Sequence, residues 1–183
     1  MNIEENKNIL KTHLKKIDRE GIKDLLVFLE KSDFYIAPCS TKYHLNIPGG
    51  LVYHSLNVFK LFKEKVERYK LELGFESIVI CSLLHDICKV NFYKLNKEKN
   101  EKEPYVIDDQ FPLGHGEKSV ILLQKFINLT NKEIMIIRWH MSGFGDCLYN
   151  SYHGRSYYKS IKICPEIIAL FCADYEATVL LES

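Results

Sequence analysis

Ser82-Leu83-Leu84-His85-Asp86-Ile87-Cys88-Lys89 sets a histidine and an aspartate side by side at the end of an apolar run. Burying a carboxylate beside an imidazole costs several kcal/mol unless both find partners. A metal ion would satisfy the two together; a hydrogen-bonded His-Asp pair near a helix end is the structural alternative. The run leading into the pair, from about Glu76 to Lys89, is apolar almost all round and predicts a buried central helix. Which reading holds for the pair depends on the other histidines.

On both sides of this run apolar residues recur at helical spacing and strand-type alternation is scarce. The pattern predicts an all-α helical bundle with one small loop or β-hairpin insertion. Upstream, Gly49-Gly50 leads into an amphipathic helix through about Lys70 with His54 near its start, and Pro38, Pro48 and the two glycines mark a structured loop from Asp33 to Gly50. Before it, Ile9, Leu14 and Ile17 suggest one short helix, and Ile22, Leu25, Leu26 and Leu29 a second that ends near Ser32. Downstream, Val90 to Leu113 turns polar. Its mixed-charge run from Asn96 to Glu103 and the segment Tyr105-Val106-Ile107 read as a solvated loop or small hairpin. His115 opens a helix through about Leu129, and Thr130-Asn131-Lys132-Glu133 caps another through Met141, so that His115 and His140 sit at the beginning and end of successive helices. Ser142 to Cys164 reads as a long connection and a candidate lid. Pro165 then starts a last helix through about Leu180, with Asp174 on the face of Leu170 and Phe171. We expect one domain over residues 1–183, its core covering about 34–183 and its N-terminal helices 1–33.

The balance of 25 Lys and Arg against 24 Asp and Glu gives no global field for a polyanion, so long nucleic acid is not an implied partner. Six scattered cysteines without a CxxC pair read as reduced, mostly buried thiols of a cytoplasmic protein. The N-terminal residues lack a signal-peptide pattern, and no apolar run reaches the roughly 18 residues that spanning a membrane requires.

His54, His85, Asp86, His115, His140 and Asp174 each lie in or at the end of an otherwise apolar helix. Each alone has an ordinary explanation as a core, cap or rim residue. Together they form a mixed nitrogen and oxygen donor set suited to Fe, Mn, Co, Ni or Zn, and helices can aim such side chains at one point. In order along the chain, Gly49-Gly50-Leu51-Val52-Tyr53-His54, Leu83-Leu84-His85-Asp86-Ile87-Cys88-Lys89, Gly114-His115, Arg138-Trp139-His140-Met141 and Ala173-Asp174 resemble the motifs of the HD-domain superfamily of metal-dependent phosphohydrolases. The resemblance covers roughly Phe34 to the C-terminus. It implies a helical fold in which His54, His85, Asp86 and Asp174 hold one divalent transition metal, while His115 and His140 match the positions that hold a second in binuclear subfamilies, with Asp86 bridging. Cys88 departs from the glycine usual in the family, and only local repacking is expected from it.

The resemblance implies hydrolysis of a phosphoester or phosphoanhydride by a metal-activated hydroxide, with Asp86 and Lys89 as catalytic residues and Lys89 near the phosphate. The stretch from Ala37 to Gly50 is similar to the approach to the first histidine in HD-domain 3′-to-5′ exoribonucleases. Tyr43, His44 and Arg138 are candidate substrate contacts. Core packing of Trp139 and a surface ion pair of Arg138 are the structural alternative. Without the separate nucleic-acid-binding domain of those exoribonucleases, a nucleotide, a dinucleotide or a short oligonucleotide is the expected substrate. Two other readings stay open: a di-iron oxygenase, which draws on the same ligand pattern, and a non-catalytic nucleotide sensor.

Overall fold

A computed structural model describes residues 2–98, 101–141 and 152–182. Its elements run α1 (Ile3–Leu14), α2 (Ile22–Lys31), α3 (Gly50–Arg68), α4 (Phe75–Leu83), a 3-10 turn (Ile87–Lys89), β1 (Tyr93–Leu95), β2 (Tyr105–Ile107), α5 (His115–Gln124), α6 (Asn131–Trp139), α7 (Tyr152–Ile163), α8 (Glu166–Glu176) and a π-helical turn (Ala177–Leu181). The bundle and its small antiparallel hairpin, paired Tyr93 to Ile107 and Leu95 to Tyr105, match the expectation from periodicity. No helix among the described residues is long and apolar enough to cross a membrane.

The long helix α3 is the axis of the packing, lying against α8 and α4 and contacting α1. Its apolar positions Leu51, Val58 and Phe62 are fully buried, as are Leu10 and Leu14 of α1, Leu25 and Leu29 of α2, and Leu170 of α8, all in one continuous core. Cys39, Cys81, Cys88 and Cys164 are buried free thiols. Two glycines let backbone segments approach closely near the place where the buried histidines and aspartates converge. A Cβ on Gly50 would stand 2.2 Å from the Leu45 carbonyl oxygen, so glycine is what lets the loop before α3 fold over that helix's first turns. A Cβ on Gly116 would stand 2.2 Å from the Arg138 carbonyl oxygen, so the start of α5 presses directly against the end of α6.

Three helix boundaries differ from those read off the sequence, and one expected connection is partly a helix. The helix expected to run from Glu76 to Lys89 stops at Leu83, and a 3-10 turn carries Ile87–Lys89 separately. The cause lies in His85, whose Nδ1–H donates to the Ser82 carbonyl at 2.7 Å and replaces the next helical amide. α5 ends at Gln124 instead of Leu129, and α8 gives way to the π-helical turn at Ala177. Within the expected connection from Ser142 to Cys164, residues Tyr152–Ile163 form α7. Its Tyr157 and Ile161 pack on the core, and Tyr157 lies 5.7 Å from the Trp139 ring. The remainder of the proposed lid, 142–151, lies outside the described residues.

Candidate metal centre

His85 and His140 are built alike. Each follows the last turn of a helix, α4 or α6, and turns its Nδ1–H back onto a carbonyl left free there, Ser82 at 2.7 Å and Ile137 at 2.6 Å. A carbonyl can only accept, so Nδ1 is the protonated nitrogen and Nε2 keeps its lone pair. Both Nε2 atoms are fully buried and have no hydrogen-bond partner among the described residues. An unsatisfied buried polar atom is costly, and two side by side call for an electrophile.

The other members complete a chain of rings and carboxylates. His54 comes from the second turn of α3, Asp86 from the bend after α4, His115 from the first position of α5 and Asp174 from α8. Ring centroids step from His54 to His85 at 5.3 Å, His85 to His140 at 4.9 Å and His140 to His115 at 5.5 Å. Asp86 stands between the two ends. Its Oδ1 faces His115 Nε2 at 2.5 Å and His140 Nε2 at 3.5 Å, whereas its Oδ2 faces His85 Nε2 at 3.5 Å and His54 Nε2 at 3.9 Å. Asp174 Oδ1 lies 3.1 Å from His54 Nε2. Donor atoms of His54, His85 and Asp86, of His85, His140 and Asp174, and of Asp86, His115 and His140 each fall within 4.8 Å of one another. All six expected ligands therefore meet in one place, and the donor set fits divalent cations: four imidazoles, two carboxylates and two lone pairs with no other use.

Titration behaviour follows from the same crowding. Burial holds the His85 imidazole down to about 4, keeping it neutral. Against the effect of burial, Cys88 and Asp86 push His115 up to about 10, and Cys39, Asp174 and Glu182 raise His54 well above its ordinary 6.5. Burial alone would raise Asp86, but Lys89, His85 and His115 hold it well below the usual carboxylate range. The carboxylates are thus anionic, and cations entering the centre would replace the protons on His54 and His115.

Several surrounding residues were not legible from the sequence. The Glu182 carboxylate accepts from His54 Nδ1 at 3.0 Å and from the Asn57 amide at 2.8 Å, fixing which nitrogen of His54 faces the cluster. Glu182 stands eight residues after Asp174, about two helical turns, and that spacing was the one available signal. Cys39 Sγ lies 3.3 Å from His44 Nε2 and 3.5 Å from Lys89 Nζ. Among the expected substrate contacts, Lys89 Nζ reaches Asp86 Oδ2 at 2.7 Å, and the His44 ring lies tilted against His54 with centroids 5.3 Å apart. Tyr43 is largely exposed. Arg138 ion-pairs with Glu117 and lies 4.1 Å over the buried Trp139 ring, the arrangement expected as its structural alternative.

Comparison with known proteins gives two results that bear on this centre. The family model described as HD domain matches residues 51–178, which take in all six side chains of the cluster. A dihydroneopterin 2′,3′-cyclic phosphate phosphodiesterase of Methanocaldococcus jannaschii is 32% identical over 114 residues, covering 60% of this chain and 42% of that protein. The chain therefore matches less than half the length of this relative. No solved structure matches the chain.

Proposed function

Because the chain belongs to the HD-domain family, we propose that it is a metal-dependent phosphohydrolase whose centre holds two divalent transition metals and cleaves a phosphodiester of a small nucleotide-like molecule. The supporting observation is the division of Asp86, one oxygen toward His115 and His140 and the other toward His85 and His54. On this reading His54, His85, Asp86 and Asp174 would hold one ion, and His115 and His140, sharing Asp86, would hold the other. All of them belong to one domain that includes the N-terminal helices.

Ions held by these residues would supply acidification of a coordinated water toward neutrality and positive charge against the phosphoryl oxygens. The protein's own part is orientation and charge. Ser82, Ile137 and Glu182 lock three imidazoles with one nitrogen inward. Lys89, at the edge of the cluster and only 12% exposed, supplies a fixed cation for a nonbridging oxygen in the transition state. His44 and Tyr43 stand on the loop that folds over α3, where they can meet the phosphate.

A relative named for a 2′,3′-cyclic phosphate suggests a compact cyclic phosphodiester, of a nucleoside or a pterin, ahead of a dinucleotide or a short oligonucleotide. The test is metal analysis of the purified protein together with turnover of 2′,3′-cyclic nucleotides, cyclic dinucleotides and short RNA, each with added Mn, Fe, Co or Ni. We expect about two metals per chain and opening of a cyclic phosphate to its monophosphate. Undiminished turnover in His85→Ala would sink the reading.

A further inference from the structure

Beside the metal centre, a cavity of about 200 Å³ opens between the 3-10 turn, the hairpin's flanks and α5. Cys88, Lys89 and His115 form the wall it shares with the centre, and Phe92, Asp109, Leu113 and Lys118 form the rest. Ligand pockets for drug-sized molecules run to roughly 300–1,000 Å³, so this one takes a single ring system and not a strand.

Lys118 and Asp109 are the unusual part. The Lys118 side chain is only 8% exposed, and its ammonium pairs with Asp109 Oδ1 at 2.5 Å while lying 4.7 Å from the Phe92 ring centroid. An ammonium has three N–H donors, and Asp109 takes one of them. Asp109 Oδ1 also accepts the Phe111 N–H at 2.9 Å, while Oδ2 accepts no hydrogen bond among the described residues. The pocket thus offers, side by side, the ammonium donors that Asp109 leaves over and one carboxylate acceptor, between an aromatic and an aliphatic wall. A cyclic amide presents the complement of that pair, a carbonyl oxygen next to a ring N–H.

We propose that this cavity is the subsite for the substrate's heterocycle and that it selects a lactam edge, Lys118 donating to the ring carbonyl and Asp109 accepting from the adjacent ring N–H. Guanine and uracil carry such an edge; adenine and cytosine do not. The proposal rests on the phosphohydrolase reading for the placing of the phosphate, and it adds the class of the attached base. A site built to hydrogen-bond a polar edge discriminates strongly, because the wrong ligand leaves its buried groups unpaired.

The test separates binding from turnover. Calorimetry on the Mn-loaded protein with guanosine and adenosine 3′-monophosphates should show guanosine bound at least about tenfold tighter, and uridine should be preferred over cytidine in the same way. Lys118→Met and Asp109→Asn, checked for folding by circular dichroism, should each bring the two purine affinities within about twofold of each other. Equal affinities in the wild type, no binding of either purine, or a preference that survives both substitutions would overturn the proposal. If neither variant folds, the wild-type preferences decide it. A lactam preference without hydrolysis of any cyclic phosphate would instead remove the phosphodiesterase reading and leave the subsite standing.

Discussion

Two of the carboxylates that the bundle buries among polar partners, Glu133 and Asp86, are treated in opposite ways. Glu133, on α6 and fully buried, accepts two parallel N–H bonds from Arg19 at 2.8 and 2.7 Å, the Ser77 hydroxyl at 2.7 Å and the Thr130 amide at 2.8 Å. Every oxygen lone pair is used, and α1's trailing segment, α4 and α6 are tied together by one side chain. Asp86 sits among four imidazoles, two of which point a bare Nε2 at it from 3.5 Å, too far for a hydrogen bond. A closed network holds a fold; an open one, with acceptors facing acceptors, is preorganised for something that is not in the chain.

If that contrast is right, the two carboxylates fail differently. The largest effect belongs to Asp86→Ala. Hydrolysis of bis(p-nitrophenyl) phosphate should fall by about a thousandfold or more, equivalent to some 4 kcal/mol of transition-state stabilisation, and bound metal should fall with it while the far-ultraviolet dichroism stays helical. Retained turnover would erase the distinction between open and closed clusters. Glu133→Ala reverses the pattern. It strands the Arg19 guanidinium and should lower unfolding free energy in urea by about 3 kcal/mol, the low end for a broken buried pair because Arg19 keeps some solvent contact. Metal content per folded chain should be unchanged; a parallel loss of metal would mean that the closed network also shapes the centre.

The sequence carried the open cluster better than its supports. The six His and Asp residues that the structure brings together, the capping box of Thr130 and Glu133, and the hairpin at Tyr105–Ile107 were all legible, because residue type and local spacing encode them. The end of α4 was not, since an apolar run says nothing of an imidazole that takes the Ser82 carbonyl. α7 was hidden by its composition: of its twelve residues only Gly154 is buried, and seven of the other eleven are Tyr, Ser or Lys. Glu182 and Asp109 carried no site reading from the sequence, because what matters in each is a contact made across more than a hundred residues in one case and across a polar loop in the other.

Glu182→Gln tests whether an orienting partner belongs to the open cluster. The amide can still occupy the space beside His54 Nδ1, but its acceptor is weaker and its NH₂ competes for the same position. Metal affinity should drop by about ten- to hundredfold, as for other outer partners of ligating histidines. Competition with a fluorescent chelator measures it, and an unchanged affinity would confine the centre to its six direct ligands.

The smallest effect probes the closed network by pH. Burial raises the Glu133 carboxyl, but bonds from Arg19, Ser77 and Thr130 outweigh it and hold the group below its ordinary 4.5. The unfolded chain therefore takes up this proton first, so the Glu133 contribution is complete above pH 4.5 and drains away as pH falls through the lower folded value. Glu166, paired with Lys132, is held low as well, but that contribution is common to the wild type and to Glu133→Gln and cancels between them. Urea midpoints from about pH 6 to about pH 3 should show the wild type ahead by on the order of 1 kcal/mol at the upper end. The gap should close toward the lower end, where a protonated Glu133 resembles glutamine. A gap that stays constant into acid would mean that Arg19 does not hold Glu133 as an anion, and the closed network would then owe its strength to shape and packing instead of charge.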